Sequence, residues 1–125
     1  MADFEHLIKS YDVGDQLDDI ASADPPAYLR RTFAEGISAP RLSFKRIQQL
    51  AVCAMVLDAI VDDRDYGFFE RELIADWRSH YLAPCRKLKD LAAEALHRVL
   101  EQFKPDDAEA AEELGLLRER LTGAA

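Results

Sequence analysis

The chain has 125 residues, of which 49% are apolar and 32% are charged, and its formal net charge is -8. This length predicts one domain with its own core, and this composition excludes disordered and fibrous proteins. The acidic balance argues against nucleic acid as a partner, because a phosphate backbone requires a basic surface. We therefore expect a single domain that spans residues 1–125.

The segments between the prolines and glycines carry apolar residues at helical spacing, and none alternates at period two. The first segment predicts a helix in two halves with a break near Gly14. Asp24 is a good N-cap for a second helix with Pro25 in its first turn, and Gly36 is expected to end that helix as its C′ residue.

The third predicted helix is the most apolar part of the chain. Ser43 is expected to cap it, and its apolar run from Leu50 to Val61 covers the whole helix circumference. A helix that is apolar on all sides must be surrounded by others. We therefore predict an all-α fold, a single compact bundle of five or six helices around a central helix over about residues 44–63.

Three further helices complete the expected bundle. The fourth is predicted to start near Gly67 or Phe68 and to stop before Pro84. The fifth is expected over about residues 85–103, and the sixth after Pro105, where Asp106 or Asp107 would cap it.

An acidic turn follows the central helix directly. Anions are disfavoured at a helix C-terminus, where the macrodipole is already negative. A divalent cation would compensate such a cluster, since carboxylate oxygens are the ligands that calcium and magnesium prefer. The candidate metal ligands are Asp58, Asp62, Asp63, Asp65 and Glu70.

The simpler interpretation of this turn is a solvated loop. Asp65 would then cap the fourth helix, with Glu70 and Glu72 in its first turn. Capping leaves Asp58, Asp62 and Asp63 unexplained, and Arg64 or a basic residue of the 78–98 block would have to neutralise them. An EF-hand is not expected, because no register places both the glycine and the final glutamate correctly.

The order of an apolar helix, an acidic turn and a helix that opens with glutamate resembles the TerB-type helical domain of tellurite resistance. The resemblance covers residues 51–82, and Arg64 stands where that family usually has glycine. It implies that Asp63, Asp65 and Glu70 face a cation.

A second metal motif is weaker. Glu94 and His97 form one ExxH pair, whereas di-iron bundles need two such pairs and two further glutamates. Asp76 and His80 would be an irregular substitute on the neighbouring helix, so we expect both histidines at the surface.

The charges are segregated into blocks. Residues 30–46 sum to +4, between blocks of -6 and -5 on either side. The blocks would either pair with one another in the fold or leave a basic strip for an acidic partner. The candidate partner-binding residues are Arg30, Arg31, Arg41, Lys45 and Arg46.

Cys53 and Cys85 form no recognisable metal or redox motif, and we expect two reduced thiols in a cytoplasmic protein. The first residues do not resemble a signal peptide, and the twelve residues of the apolar run cannot span a bilayer, which needs about 20.

Two functions remain open from the sequence. The first is a non-enzymatic helical interaction module, of the adaptor, inhibitor or assembly-factor type, that binds a protein partner or forms a homodimer. No cofactor is expected for it. The second is a divalent-cation-binding domain, or a small carboxylate enzyme, with its site at the acidic turn.

Overall fold

The computed structural model describes residues 12–64, 69–102 and 108–122. These residues form six helices and no strand, which confirms the all-α prediction. In chain order the helices are α1 Val13–Ala21, α2 Pro25–Ser38, α3 Phe44–Asp62, α4 Arg71–Arg86, α5 Lys89–Gln102 and α6 Ala108–Leu121.

Helix α3 is the centre of the bundle and packs against all five other helices. Every residue from Leu50 to Val61 is buried, including the polar Asp58. Ser43 caps this helix as predicted, because its side-chain oxygen accepts a hydrogen bond from the backbone N–H of Arg46 at 3.1 Å. The predicted central helix is therefore confirmed.

Each outer helix buries one apolar face, whereas α3 is buried on all sides. Leu29 and Phe33 of α2, Ile74 and Trp77 of α4, and Leu96 and Val99 of α5 are buried against α3 or one another. Leu114, Leu117 and Leu121 form the buried face of α6. No helix within the described residues combines the length and the apolar character needed to cross a membrane.

The predicted C-terminus of α2 at Gly36 is wrong, because the helix continues to Ser38. Gly36 is buried, and a Cβ atom built on it would lie 2.7 Å from both terminal carbons of Leu50 on α3. The glycine is needed for the close approach of two helices, and it does not terminate one of them.

Helix α1 begins at Val13, directly before Gly14, with the extended Asp12 as its N-cap, and the first half of the predicted two-part helix lies outside the described residues. Several other predicted helix boundaries are wrong. Helix α4 begins at Arg71 and continues through Pro84 to Arg86, so Cys85 belongs to α4 and not to α5. The N-cap of α4 is Glu70 and not Asp65, which lies outside the described residues, as do the predicted caps Asp106 and Asp107.

Two glycines inside helices, Gly36 and Gly115, provide a matched test of the α2–α3 contact. Gly115→Ala should raise the free energy of unfolding by about 0.5–1 kcal/mol, because nothing lies within 4 Å of the added Cβ. Gly36→Ala should lower it by roughly 1 kcal/mol, since overpacking against the buried Leu50 outweighs the gain in helix propensity. Chemical denaturation measures both, and an equal stabilisation by the two variants would contradict the close approach of α2 and α3.

Candidate functional site

The C-terminal end of α3 places a carboxylate inside the core. The side chain of Asp58 has no exposed surface, and its Oδ2 lies 3.8 Å from Nε of Arg64 and 4.0 Å from Nη1 of Arg120. Arg64 follows α3 in the chain, whereas Arg120 belongs to the last turn of α6. A buried carboxylate is strongly destabilising unless cations accompany it, so these two arginines are its electrostatic support.

The other two acids of this end lie nearer the surface. Asp62 Oδ2 is 3.6 Å from Nζ of Lys89, the first residue of α5. Asp63 is exposed and ends the helix with φ 56° and ψ 39°, in the left-handed region that aspartate and asparagine adopt more readily than most residues. Asp63 therefore acts as the residue that turns the chain away from α3.

The last carbonyl groups of α3 also receive a cation. Arg78 of α4 donates from Nη1 to the carbonyl oxygens of Ile60, at 2.7 Å, and Val61, at 3.2 Å. A guanidinium at a helix C-terminus satisfies carbonyls that have no helical partner and opposes the negative end of the dipole. Helices α4, α5 and α6 thus each bring one cation to the same end of α3.

The structure brings three of the five candidate metal ligands, Asp58, Asp62 and Asp63, to the end of α3. Glu70 lies at the start of α4, and Asp65 lies outside the described residues. Within residues 12–64, 69–102 and 108–122, no group of three or more His, Cys, Asp or Glu side chains is arranged to hold a metal ion. The cation site stays a prediction. The expected neutralisation is found for Asp58, by Arg64, and for Asp62, by Lys89 of the 78–98 block.

The second candidate metal motif, Glu94–His97 with Asp76 and His80, lies at the surface. His97 Nε2 lies 3.2 Å from Oε1 of Glu101, and not beside Glu94, while His80 Nδ1 lies 3.3 Å from Oδ1 of Asp76. All four side chains of these two pairs are more than half exposed. Each histidine therefore pairs with an acid one turn away on its own helix, and both histidines lie at the surface as predicted.

Of the basic residues of the 30–46 block, Arg30 and Arg31 lie in the middle of α2, whereas Arg41, Lys45 and Arg46 lie where α2 leads into α3. Arg30, Arg31, Arg41 and Lys45 are exposed, and Arg46 pairs with Glu35 at 3.2 Å. Phe44, the first residue of α3, is 52% exposed. The sequence carries no signal for this exposure, because the side of the first helical turn on which Phe44 lies depends on how α2 and α5 pack.

Both cysteines are buried and form no disulfide, as predicted. Burial raises the pKa of the Cys53 thiol to about 12, although Gln16 donates a hydrogen bond to its sulfur at 3.4 Å. Burial raises the pKa of the Cys85 thiol to about 11. A raised thiol pKa keeps the sulfur protonated at neutral pH, so neither side chain is an activated nucleophile.

Comparison with protein-family models, with curated proteins and with solved structures finds no match for this chain. The likeness of residues 51–82 to TerB-type domains therefore has no support beyond the motif itself.

Asp63→Asn distinguishes a repelled acid from a metal ligand. We expect the variant to raise the free energy of unfolding by a few tenths to about 1 kcal/mol, because it removes an anion from a helix C-terminus and asparagine keeps the left-handed conformation. Asp63→Val is the control and should be destabilised by about 1–3 kcal/mol, since a β-branched residue is strained there. Thermal melts are run with and without calcium, magnesium, manganese and iron. Metal stabilisation of the wild type that Asp63→Asn abolishes would contradict a merely repelled acid.

The thiols provide a second test. In the native protein, iodoacetamide at mildly alkaline pH should leave Cys53 and Cys85 unmodified, because both sulfurs are buried and their pKa values lie at about 12 and about 11. In guanidinium chloride both should be alkylated at the rate of an exposed cysteine. Mass spectrometry of the two samples measures this, and rapid native alkylation of either residue would show that its thiol is accessible and activated.

Proposed function

We propose that this chain is a non-enzymatic protein–protein interaction module that binds through the basic corner between α2 and α3. The basic corner consists of Arg41, Phe44, Lys45 and Arg46, and the other two candidate residues, Arg30 and Arg31, lie farther back on α2. The observation that carries the proposal is Phe44, which is the one large apolar side chain exposed among the residues that the structure describes. An exposed aromatic residue among arginines has the composition of an interface hot spot.

The electrostatics of the basic corner favour an acidic partner. Lys45 and Arg46 occupy the first turn of α3, where the helix dipole is itself positive and no acidic residue is present. Glu35 contacts Arg46, but the side chain of Glu35 is 52% exposed and the pair is correspondingly weak. The positive potential is therefore available to attract a negatively charged surface.

The connection that carries Arg41 is held in place by α5. Gln102 accepts a hydrogen bond from the backbone N–H of Leu42 at 2.8 Å, and it donates to the carbonyl of Pro40 at 3.4 Å. Arg98 donates to the carbonyl of Ala39. A loop fixed by three such bonds loses little conformational entropy on binding, which favours affinity.

The partner that fits this surface is acidic and has an apolar pocket for Phe44. A second copy of this chain is one candidate, because α1 presents four exposed aspartates, Asp12, Asp15, Asp18 and Asp19. The pKa of the Asp15 carboxyl is raised, first by the negative charge of Asp12 and second by a hydrogen bond with the Asp12 side chain. Contact with a basic surface would relieve this crowding of like charges.

Site-specific photo-cross-linking tests the proposal. Phe44→p-benzoyl-phenylalanine, in the native host, should capture one acidic protein or a second copy of this chain. Adding Arg41→Glu and Lys45→Glu should reduce capture at least about tenfold, since both charges would then repel the partner. The control carries the same probe at Ala83, an exposed position on α4. Identical captures from positions 44 and 83, or capture that the charge reversals leave unchanged, would overturn the proposed contact surface.

A further inference from the structure

The two charge blocks in the first third of the chain do not pair with each other inside one copy. Residues 1–29 sum to -6 and residues 30–46 sum to +4. Among the residues that the structure describes, no ion pair joins the two blocks, and Arg46 pairs with Glu35 of its own block. Opposite charges that stay in solvent on one molecule attract the complementary charges of another.

The acidic block is concentrated on the outer side of α1. The inner side of this helix is buried through Gln16, Leu17 and Ile20. Asp15, Asp18 and Asp19 are exposed within about a third of the helix circumference, and the exposed N-cap Asp12 precedes them. These four aspartates form the acidic face of α1. The charge of Asp12 is the first cause of the raised pKa of Asp15, and the charges of Asp18 and Asp19 add to it, so a cationic surface would relieve repulsion on this face.

The acidic face and the basic corner lie toward opposite ends of α2. Near the start of α2, Gln16 of α1 donates hydrogen bonds to the hydroxyl of Tyr28 at 3.0 Å and to Sγ of Cys53 at 3.4 Å. The basic corner follows the last residue of α2, Ser38, and the helix rises about 15 Å between positions 28 and 38. Two copies with antiparallel α2 helices can therefore place each acidic face against the other copy's basic corner, which is the reciprocal contact of a twofold dimer.

We propose that the basic corner binds a second copy of this chain through the acidic face of α1. Arg41 and Lys45 of one copy lie against Asp18 and Asp19 of the other, and the contact occurs twice. This assignment rests on the proposed function, because it takes the basic corner as the contact surface. Exposed ion pairs are individually weak, so the dimer exchanges with the monomer and is sensitive to salt.

Analytical ultracentrifugation of the whole chain measures this association. The protein should form a dimer whose Kd rises at least about tenfold between about 0.05 and about 0.5 M NaCl, because salt screens exposed charges. A chain that is still monomeric at about 1 mM would overturn the second copy as the occupant.

Two charge-reversed variants locate the contact. The lysine variant carries Asp18→Lys and Asp19→Lys, and the glutamate variant carries Arg41→Glu and Lys45→Glu. Both should keep the fold, since the helix dipole favours lysines in the second half of α1 and a glutamate in the first turn of α3. Each variant alone should dimerise at least about tenfold more weakly than the wild type, because like charges then meet in both contacts. An equimolar mixture should form a heterodimer, because opposite charges meet again in both contacts.

A control variant separates this contact from attraction between oppositely charged proteins. Asp76→Lys with Glu94→Lys changes the same number of charges at exposed acids of α4 and α5. The control should dimerise as the wild type does, and it should bind the glutamate variant more weakly than the lysine variant does. Equal binding of the glutamate variant by the control and by the lysine variant would overturn the acidic face of α1 as the docking surface.

Two further outcomes separate the identity of the partner from the contact surface. A monomeric chain whose cross-linker at position 44 captures a different acidic protein would overturn the second copy and leave the basic corner in place. A dimer that the glutamate variant leaves intact would overturn both. Species larger than a dimer would overturn the reciprocal contact, because head-to-tail contacts that do not close form open chains.

Discussion

The structure depends on the burial of α3 together with the carboxylate of Asp58. All residues from Leu50 to Val61 are buried, which leaves no solvent to stabilise a charge on that segment. Bringing an unaccompanied ion into a core costs several kcal/mol, so cations must be positioned around this end of the helix. Arg120 meets this need from α6, and Arg64 from the chain beyond α3. The acid therefore constrains where α6 can pack.

Helix α3 carries side-chain charges that are unfavourable for its dipole at both ends. The fold compensates these charges at one end and leaves them largely exposed at the other. At the C-terminal end, Asp62 meets Lys89, and Arg78 covers the last carbonyl groups. At the N-terminal end, Lys45 and Arg46 add cations to the positive end of the dipole, and Glu35 contacts Arg46. The charges at the C-terminal end are compensated within the fold and need no partner. The charges at the N-terminal end stay largely exposed, and this difference is the electrostatic reason to place the partner at the basic corner.

The sequence predicts features that depend on one segment of the chain. It does not predict features that depend on a contact between two distant segments. The apolar circumference of α3 and the cap at Ser43 are local, and both predictions are confirmed. Gly36 looked like a helix end, because its sequence neighbours do not reveal that Leu50 packs on it. Pro84 predicts the end of a helix, but α4 continues to Arg86. A proline in the last turn removes only one hydrogen bond, and the buried Cys85 holds this end of the helix in place. The contact of Arg120 with Asp58 joins residues that are far apart in the chain, and local spacing carries no signal for it.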